Sequence, residues 1–395
     1  MTGPSRRAAP HFFTRAESLR GLAALSVAVF HSIHLLPVDG IAQIHLLTIR
    51  GTVGVQLTVT RLMMVVFNGN AAVSLFFVIS GFVLTLAAVR DSRATAPFAT
   101  SFVARRFFRI YPALALNLLL MYCVVSAAAA ILPAIIPARF SLRLLIYNLA
   151  LLDVPINGAT WSLAIELLIV PLLLLAYLAM RRGGVSLLFI AAVAATVALF
   201  SRPHILRVWH VSDYCFMFFL GALLTTAPIK SWLRTLSPRG TRLTLCSALL
   251  ALMASRFVMG FTSKWALLGE GLAATVLVGL VAHGRDLRGY SWLDARPVRD
   301  LGRISYSFYL YHPLFLQILA PALFAVFRPV GLLDRAPLLV GLLVGLVTIP
   351  PTLLAGRLSY GWVEQPSNQL GVRIAERFGG LVGGLGETTI ARPNP

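Results

Sequence analysis

The chain has little charge. Asp, Glu, Lys and Arg together make up 12% of its 395 residues, where a soluble globular domain carries about 25%. Acidic residues number only 14, and hydrophobic residues reach 58%. With a mean hydropathy of +0.83, this excludes an ordinary soluble domain and predicts an all-α, polytopic transmembrane helix bundle. Cysteine is scarce too. Cys123, Cys215 and Cys246 all lie in apolar stretches, and their odd count and placing give neither a disulfide framework nor metal-ligand spacing, so no metal is expected. Lysine is nearly absent, with only Lys230 and Lys264. That points to a GC-rich genome and says nothing of substrate. An A-x-A-like cleavage site is lacking after the first apolar run, so the run is read as retained and not as a signal peptide. The net charge of +20 does not imply nucleic acid, because the basic residues fall in short gaps between apolar stretches and not on one face.

Ten stretches are long enough to span a bilayer: 19–36, 71–89, 113–132, 160–180, 185–201, 209–227, 242–260, 265–283, 305–326 and 337–355. Most of the 34 basic residues fall in alternate loops, which expects both termini and the segment from Arg105 to Pro112 on the cytoplasmic side of a bacterial inner membrane. The domain reading is a basic cytoplasmic N-terminus over 1–16, a membrane domain over 17–366 and a cytoplasmic tail over 367–395. The Gly-rich end of that tail is expected to be partly disordered. The long outer segment 37–70 reads as an interfacial or re-entrant piece, and SLRLLIYNLALLDVP from Ser141 as an interfacial one.

In a membrane chain the polar residues inside apolar stretches carry the information. Arg20 and His31 are eleven residues apart on the first stretch, hence on nearly one helix face and about 16 Å apart along the axis. The bland reading makes Arg20 a snorkelling anchor and His31 a packed core histidine. The chemical reading makes the neutral imidazole a proton acceptor for an alcohol. His34 lies three residues beyond it. Ser80, with Gly81, interrupts an apolar helix, where close packing through small residues is the simpler explanation. Arg106 and Arg109 share a face at i, i+3 within RRFFRIYP and suit bidentate phosphate contacts; positive-inside anchoring is the alternative. Glu166, in ATWSLAIELL, reads as the only carboxylate well inside a span and calls for a partner or a function. Trp161 reads as an interface anchor. In GRISYSFYLYHP, Tyr306, Tyr309 and His312 recur on one side of a helix, though tyrosines at a span end commonly belong to the aromatic belt.

These motifs, in their order, resemble the family-3 membrane acyltransferases. Arg20-x10-His31, LFFVISGF around Ser80, Arg106-x-x-Arg109, Trp161-Ser162-Leu163 with Glu166, SYSFYLYHP with Tyr309 and His312, and WVEQP from Trp362 cover about 17–366. The family often has aromatic residues soon after the glutamate, where this chain has Leu168-Ile169. The resemblance implies transfer of an acyl group, usually acetyl, from cytoplasmic acyl-CoA (acetyl-CoA) to a hydroxyl of a sugar or glycan of the envelope or of an exported polysaccharide. It also implies a stand-alone form without an appended esterase-like domain, with acyl-CoA, the hydroxyl acceptor and membrane lipid as partners and no nucleic acid. On this reading His31, Arg20 and Glu166 are catalytic. Arg106 and Arg109 hold the donor, and Ser80, Trp161, Ser162, Tyr309 and His312 support the site. Glu166 is expected to orient the His31 imidazole or share its proton. The competing class is a secondary transporter that uses His31, Glu166 and Arg20 as a proton or substrate site, but no matched pair of Gly/Pro-broken helices supports it.

Overall fold

A computed structural model describes residues 11–36, 54–91, 95–137, 140–201, 211–284 and 288–387. In chain order the helices are α1 (His11–His34), α2 (Val55–Val66), α3 (Gly69–Val89), α4 (Thr95–Ile131), α5 (Leu142–Leu149), α6 (Trp161–Gly183), α7 (Val185–Ala198), α8 (Val211–Leu223), α9 (Ala227–Thr235), α10 (Pro238–Met259), α11 (Lys264–His283), α12 (Arg296–Arg303), α13 (Ser305–Phe327), α14 (Leu332–Arg335), α15 (Pro337–Ser359) and α16 (Gln365–Glu387). No strand occurs among the described residues. The chain is a helical membrane bundle.

Each of the ten stretches falls on a helix, yet fewer qualify as independent spans. Seven helical stretches are long and apolar enough, and α8 with α9, bent by 76°, makes up to eight. The difference has two causes. At 14 residues, α7 is short of the roughly 20 a crossing needs. The other is α1, whose apolar part is diluted by Glu17, Arg20, His31 and His34, the same residues that make it interesting. The helix expected to end near 355 also continues: α15 passes through a π-turn at Tyr360–Glu364 into α16. Helix α16 carries the chain to Glu387. There α16 lies along α4, burying Ala375 and accepting a hydrogen bond from Ser101 Oγ at the Ala375 carbonyl. Of the outer segment, α2 is described, and 37–53 lies outside the described residues.

Lipid tails are as apolar as leucine, so packing and polar contacts hold such helices together. At two crossings the backbones approach so closely that no side chain fits. A Cβ on Gly81 of α3 would strike the Phe218 carbonyl of α8, and one on Gly221 of α8 would strike the Val78 carbonyl of α3. A Cβ on Gly21 of α1 would lie 2.6 Å from the Gly302 nitrogen of α12. The packing role expected for the Ser80-Gly81 pair thus belongs to Gly81. Both glycines sit beside polar residues, Ser80 and Arg20, and so fix their depth. The near end of α1 is clamped further. Arg15 forks onto Asp294 at 2.7 and 3.1 Å, and Ser18 Oγ donates to the Leu293 carbonyl at 2.6 Å.

Glu166 is not the only carboxylate within a span. Glu270 of α11 is fully buried, accepting from Arg256 Nε at 2.9 Å and from Ser74 Oγ at 3.1 Å. This ties α10, α11 and α3 together. The pair is self-contained, with its charge met inside the protein as burial demands.

Two outcomes follow. Gly81→Ala should lower stability in detergent by about 1–3 kcal/mol through overpacking, as read by thermal unfolding, whereas Gly158→Ala, where an added Cβ meets nothing within 4 Å, should be neutral. The orientation proposed from the arginine bias is checked in a cysteine-free background at two exposed positions. Arg239→Cys should be shielded from an impermeant maleimide in intact cells and Thr262→Cys should react; the reverse pattern inverts the topology.

Candidate active site

Five helices, α1, α3, α4, α6 and α13, converge on two adjoining cavities. The wider, about 250 Å³, is lined by Arg20, Arg105, Arg106, Arg109, Glu166 and Tyr306, with an apolar wall that includes Phe102 and Ile110. The narrower, about 40 Å³, shares Arg20, Ser80, Glu166 and Tyr306 with it and adds Phe76, Ser162 and Tyr309. The first is broad and basic, the second small and polar.

Glu166 sits where the two meet. It forms an ion pair with Arg106 Nη2 and accepts from Ser80 Oγ at 2.6 Å. These three residues come from α6, α4 and α3. A carboxylate in an apolar bundle persists only when paired and hydrogen-bonded, and here both conditions are met. Arg106 is spent on Glu166 at one nitrogen, but its buried Nε has no hydrogen-bond partner among the described residues. Arg20 and Arg109 face a second carboxylate, Glu364, which lies within electrostatic reach of both. Glu364 is buried and accepts from Ser307 Oγ at 2.8 Å. It stands on the π-turn between α15 and α16, a local widening frequently found at functional sites. WVEQP is in the sequence pattern, but Glu364 escapes attention there because the span appears to stop before Arg357. The detectable signal is an acid within a helix that stays apolar past that arginine.

The tyrosines of α13 are not belt residues. Tyr306, Tyr309 and Tyr311 are each buried. Tyr306 donates to the Ile110 carbonyl of α4 at 2.7 Å. Tyr309 donates to the Ala159 carbonyl at 2.9 Å, and its oxygen lies 3.0 Å from Ser162 Oγ. Trp161 is likewise no simple interface anchor. Half-buried, it packs on Phe77 at 6.1 Å and on Tyr214 at 5.2 Å between ring centres, and Phe77 lines the narrow cavity.

His31 stands one layer deeper than Arg20, as the eleven-residue spacing requires. Its partner is His312: Nδ1 of His31 lies 3.0 Å from Nε2 of His312, with ring centres 5.2 Å apart. His312 is fully buried and in turn lies 5.6 Å from the Tyr309 ring, which lines the narrow cavity. The expectation that Glu166 orients His31 is therefore corrected. Glu166 is committed to Arg106 and Ser80, and the imidazole is held by another imidazole. His34 is half-buried and stacks on Phe30 at 5.8 Å; the same Phe30 ring lies 6.0 Å from that of His31. So the structure brings Arg20, Ser80, Arg106, Arg109, Ser162, Glu166 and Tyr309 around the cavities and sets His31 with His312 behind Tyr309. Among the described residues no group of His, Cys, Asp and Glu is arranged to hold a metal.

The Arg106–Glu166 pair makes a stability prediction. Arg106→Met strands a buried carboxylate and should cost about 3–5 kcal/mol. Arg106→Met with Glu166→Leu should recover most of that loss, as measured by the temperature at which the protein ceases to be monodisperse in detergent.

Compared with known proteins, residues 14–357 match the family model described as Acyltransferase domain. The chain belongs to this family of acyltransferases, family 3. No curated protein and no solved structure matches it.

Proposed function

We propose that this membrane acyltransferase takes an acyl group, acetyl in the first instance, from cytoplasmic acyl-CoA and places it on a hydroxyl of a sugar or glycan destined for the envelope or for export. The observation that carries the reading is the basic cavity joined to a small polar one beside Tyr309 and the histidine pair. Coenzyme A is a polyphosphate head on a thin arm ending in the thioester. Arginine forks suit its phosphates, and Arg109 lines the wide cavity beside Arg105, which pairs with Asp91 at 3.7 Å. Arg106 Nε supplies a buried donor that an oxygen of the ligand would satisfy.

In the reaction His31 acts as general base. Its ring nitrogen takes the proton of the acceptor hydroxyl as the oxygen attacks the thioester carbonyl. The new C–O bond forms, the C–S bond breaks, and the imidazolium returns its proton to the departing thiolate. The other route has the imidazole itself take the acyl group and pass it on; ping-pong kinetics identify that case. Glu166 enters as the residue that positions Arg106. Arg20 balances Glu364 and borders both cavities.

Two measurements test this. In membranes given radiolabelled acetyl-CoA, label should pass to the glycan fraction. His31→Ala should lower transfer per inserted protein by about two to four orders of magnitude, the usual loss of a general base. A variant keeping more than about a tenth of the rate is incompatible with that contribution. Arg109→Gln should raise the KM for acyl-CoA, with Arg109→Lys only a partial repair because an ammonium lacks the bidentate fork. An unchanged KM makes Arg109 a topological anchor and nothing more.

A further inference from the structure

The sequence around His312 reads Tyr309-Leu310-Tyr311-His312-Pro313. In an α-helix the carbonyl of residue 309 would accept from the amide of residue 313. Pro313 has no amide hydrogen, so the Tyr309 carbonyl is left without its helical donor inside the bundle. An unsatisfied carbonyl there is costly. Nδ1 of His312 fills the vacancy at 2.7 Å. A carbonyl can only accept, so Nδ1 of His312 carries the proton. In the neutral imidazole the other nitrogen then has none and can only accept. That nitrogen, Nε2, is the one 3.0 Å from Nδ1 of His31. The hydrogen of that bond therefore belongs to His31 Nδ1.

From this chain of donors we infer that His312, locked by the proline that follows it, holds His31 in the Nδ1–H tautomer and leaves its Nε2 as the unprotonated nitrogen that receives the substrate's proton. The inference rests on His31 being the base. Among the described residues His31 Nε2 has no hydrogen-bond partner, so its lone pair is uncommitted. When His31 gains a proton, its Nδ1–H still points at a lone pair, which stabilises the imidazolium. His312 is thus a positioning residue: it touches the base, not the substrate. The arrangement performs the role that a buried carboxylate plays behind the histidine of a catalytic triad, with a neutral group in its place.

The test uses two amides of similar size. In His312→Gln the side-chain oxygen can take the place of Nε2 and still accept from His31. In His312→Asn the amide reaches only the place of Nδ1, bonding the Tyr309 carbonyl and leaving His31 without an acceptor. Turnover of His312→Gln should stay within about tenfold of wild type, and that of His312→Asn should fall a further ten- to a hundredfold, the usual scale for loss of a histidine's orienting partner. The KM for acyl-CoA should be the same in both. If Asn matches or exceeds Gln, His312 serves packing and the carbonyl alone, and the inference fails. A second measurement needs no variant at the position. In protein labelled with ¹⁵N-histidine in bilayers, the His31 signal, assigned by its loss in His31→Ala, should show a protonated Nδ1 and a bare Nε2. The opposite tautomer overturns the inference. Retained activity in His31→Ala instead overturns the base assignment, leaving the tautomer result standing, so the two failures are told apart.

Discussion

Three guanidiniums and two carboxylates share one apolar interior, and the rest of the site depends on how they are matched. Arg106 meets Glu166 directly, while Arg20 and Arg109 lie in the field of Glu364. A charge in a hydrocarbon interior is tolerated only when it is paired or faces water. The cluster satisfies this from four separate segments: α1, α4, α6, and the π-turn between α15 and α16. Moving any of them leaves an ion stranded. The cluster therefore fixes the relative depth of helices that apolar packing alone would allow to slide.

Depth is also set by backbone contact. Gly21 against Gly302 and Gly81 against Phe218 place the residues next to them, Arg20 and Ser80, at the border shared by the two cavities. A crossing with no room for a Cβ admits one register, so the glycine works as a ruler. The ion cluster specifies which helices meet, and the glycine crossings specify at what height. Neither would suffice alone, because long arginine side chains can follow a helix that slips by part of a turn.

Much of this was legible in the sequence, for a physical reason. Polar groups are so unfavourable in apolar helices that each one present marks a place where something meets it. Arg20, His31, Ser80, Arg106, Arg109, Glu166, Tyr309 and His312 stand out on that ground alone. Their pairings do not. Spacing along one helix puts Arg20 and His31 on one face, but which residue of another helix meets His31 depends on tertiary packing, and that residue is His312, not Glu166. Glu364 was hidden because Arg357 appears to end the last span, whereas α15 runs on into α16 and carries the acid inward. Glu270 also lies within an expected span. Its partner Arg256 comes from the neighbouring helix. The number of spans suffered from the opposite effect, since α1 is too polar to count by composition and yet sits at the centre of the bundle against α3, α12, α13 and α15.

The choice of His312 as the companion of His31 follows from the same electrostatic limit. A carboxylate behind His31 would add an anion to a region that already holds two, and would need a further cation to accompany it. Glu166 cannot serve, because releasing it from Arg106 would strand both. A neutral imidazole offers an acceptor without a charge, but it has two tautomers, and only one leaves the correct nitrogen bare. Pro313 removes that ambiguity by withdrawing a backbone donor rather than adding a side chain. The vacant Tyr309 carbonyl costs free energy unless His312 turns Nδ1–H toward it, so the tautomer is set by the helix backbone itself. On this view the proline in SYSFYLYHP belongs to the proton-handling machinery as much as the histidine before it.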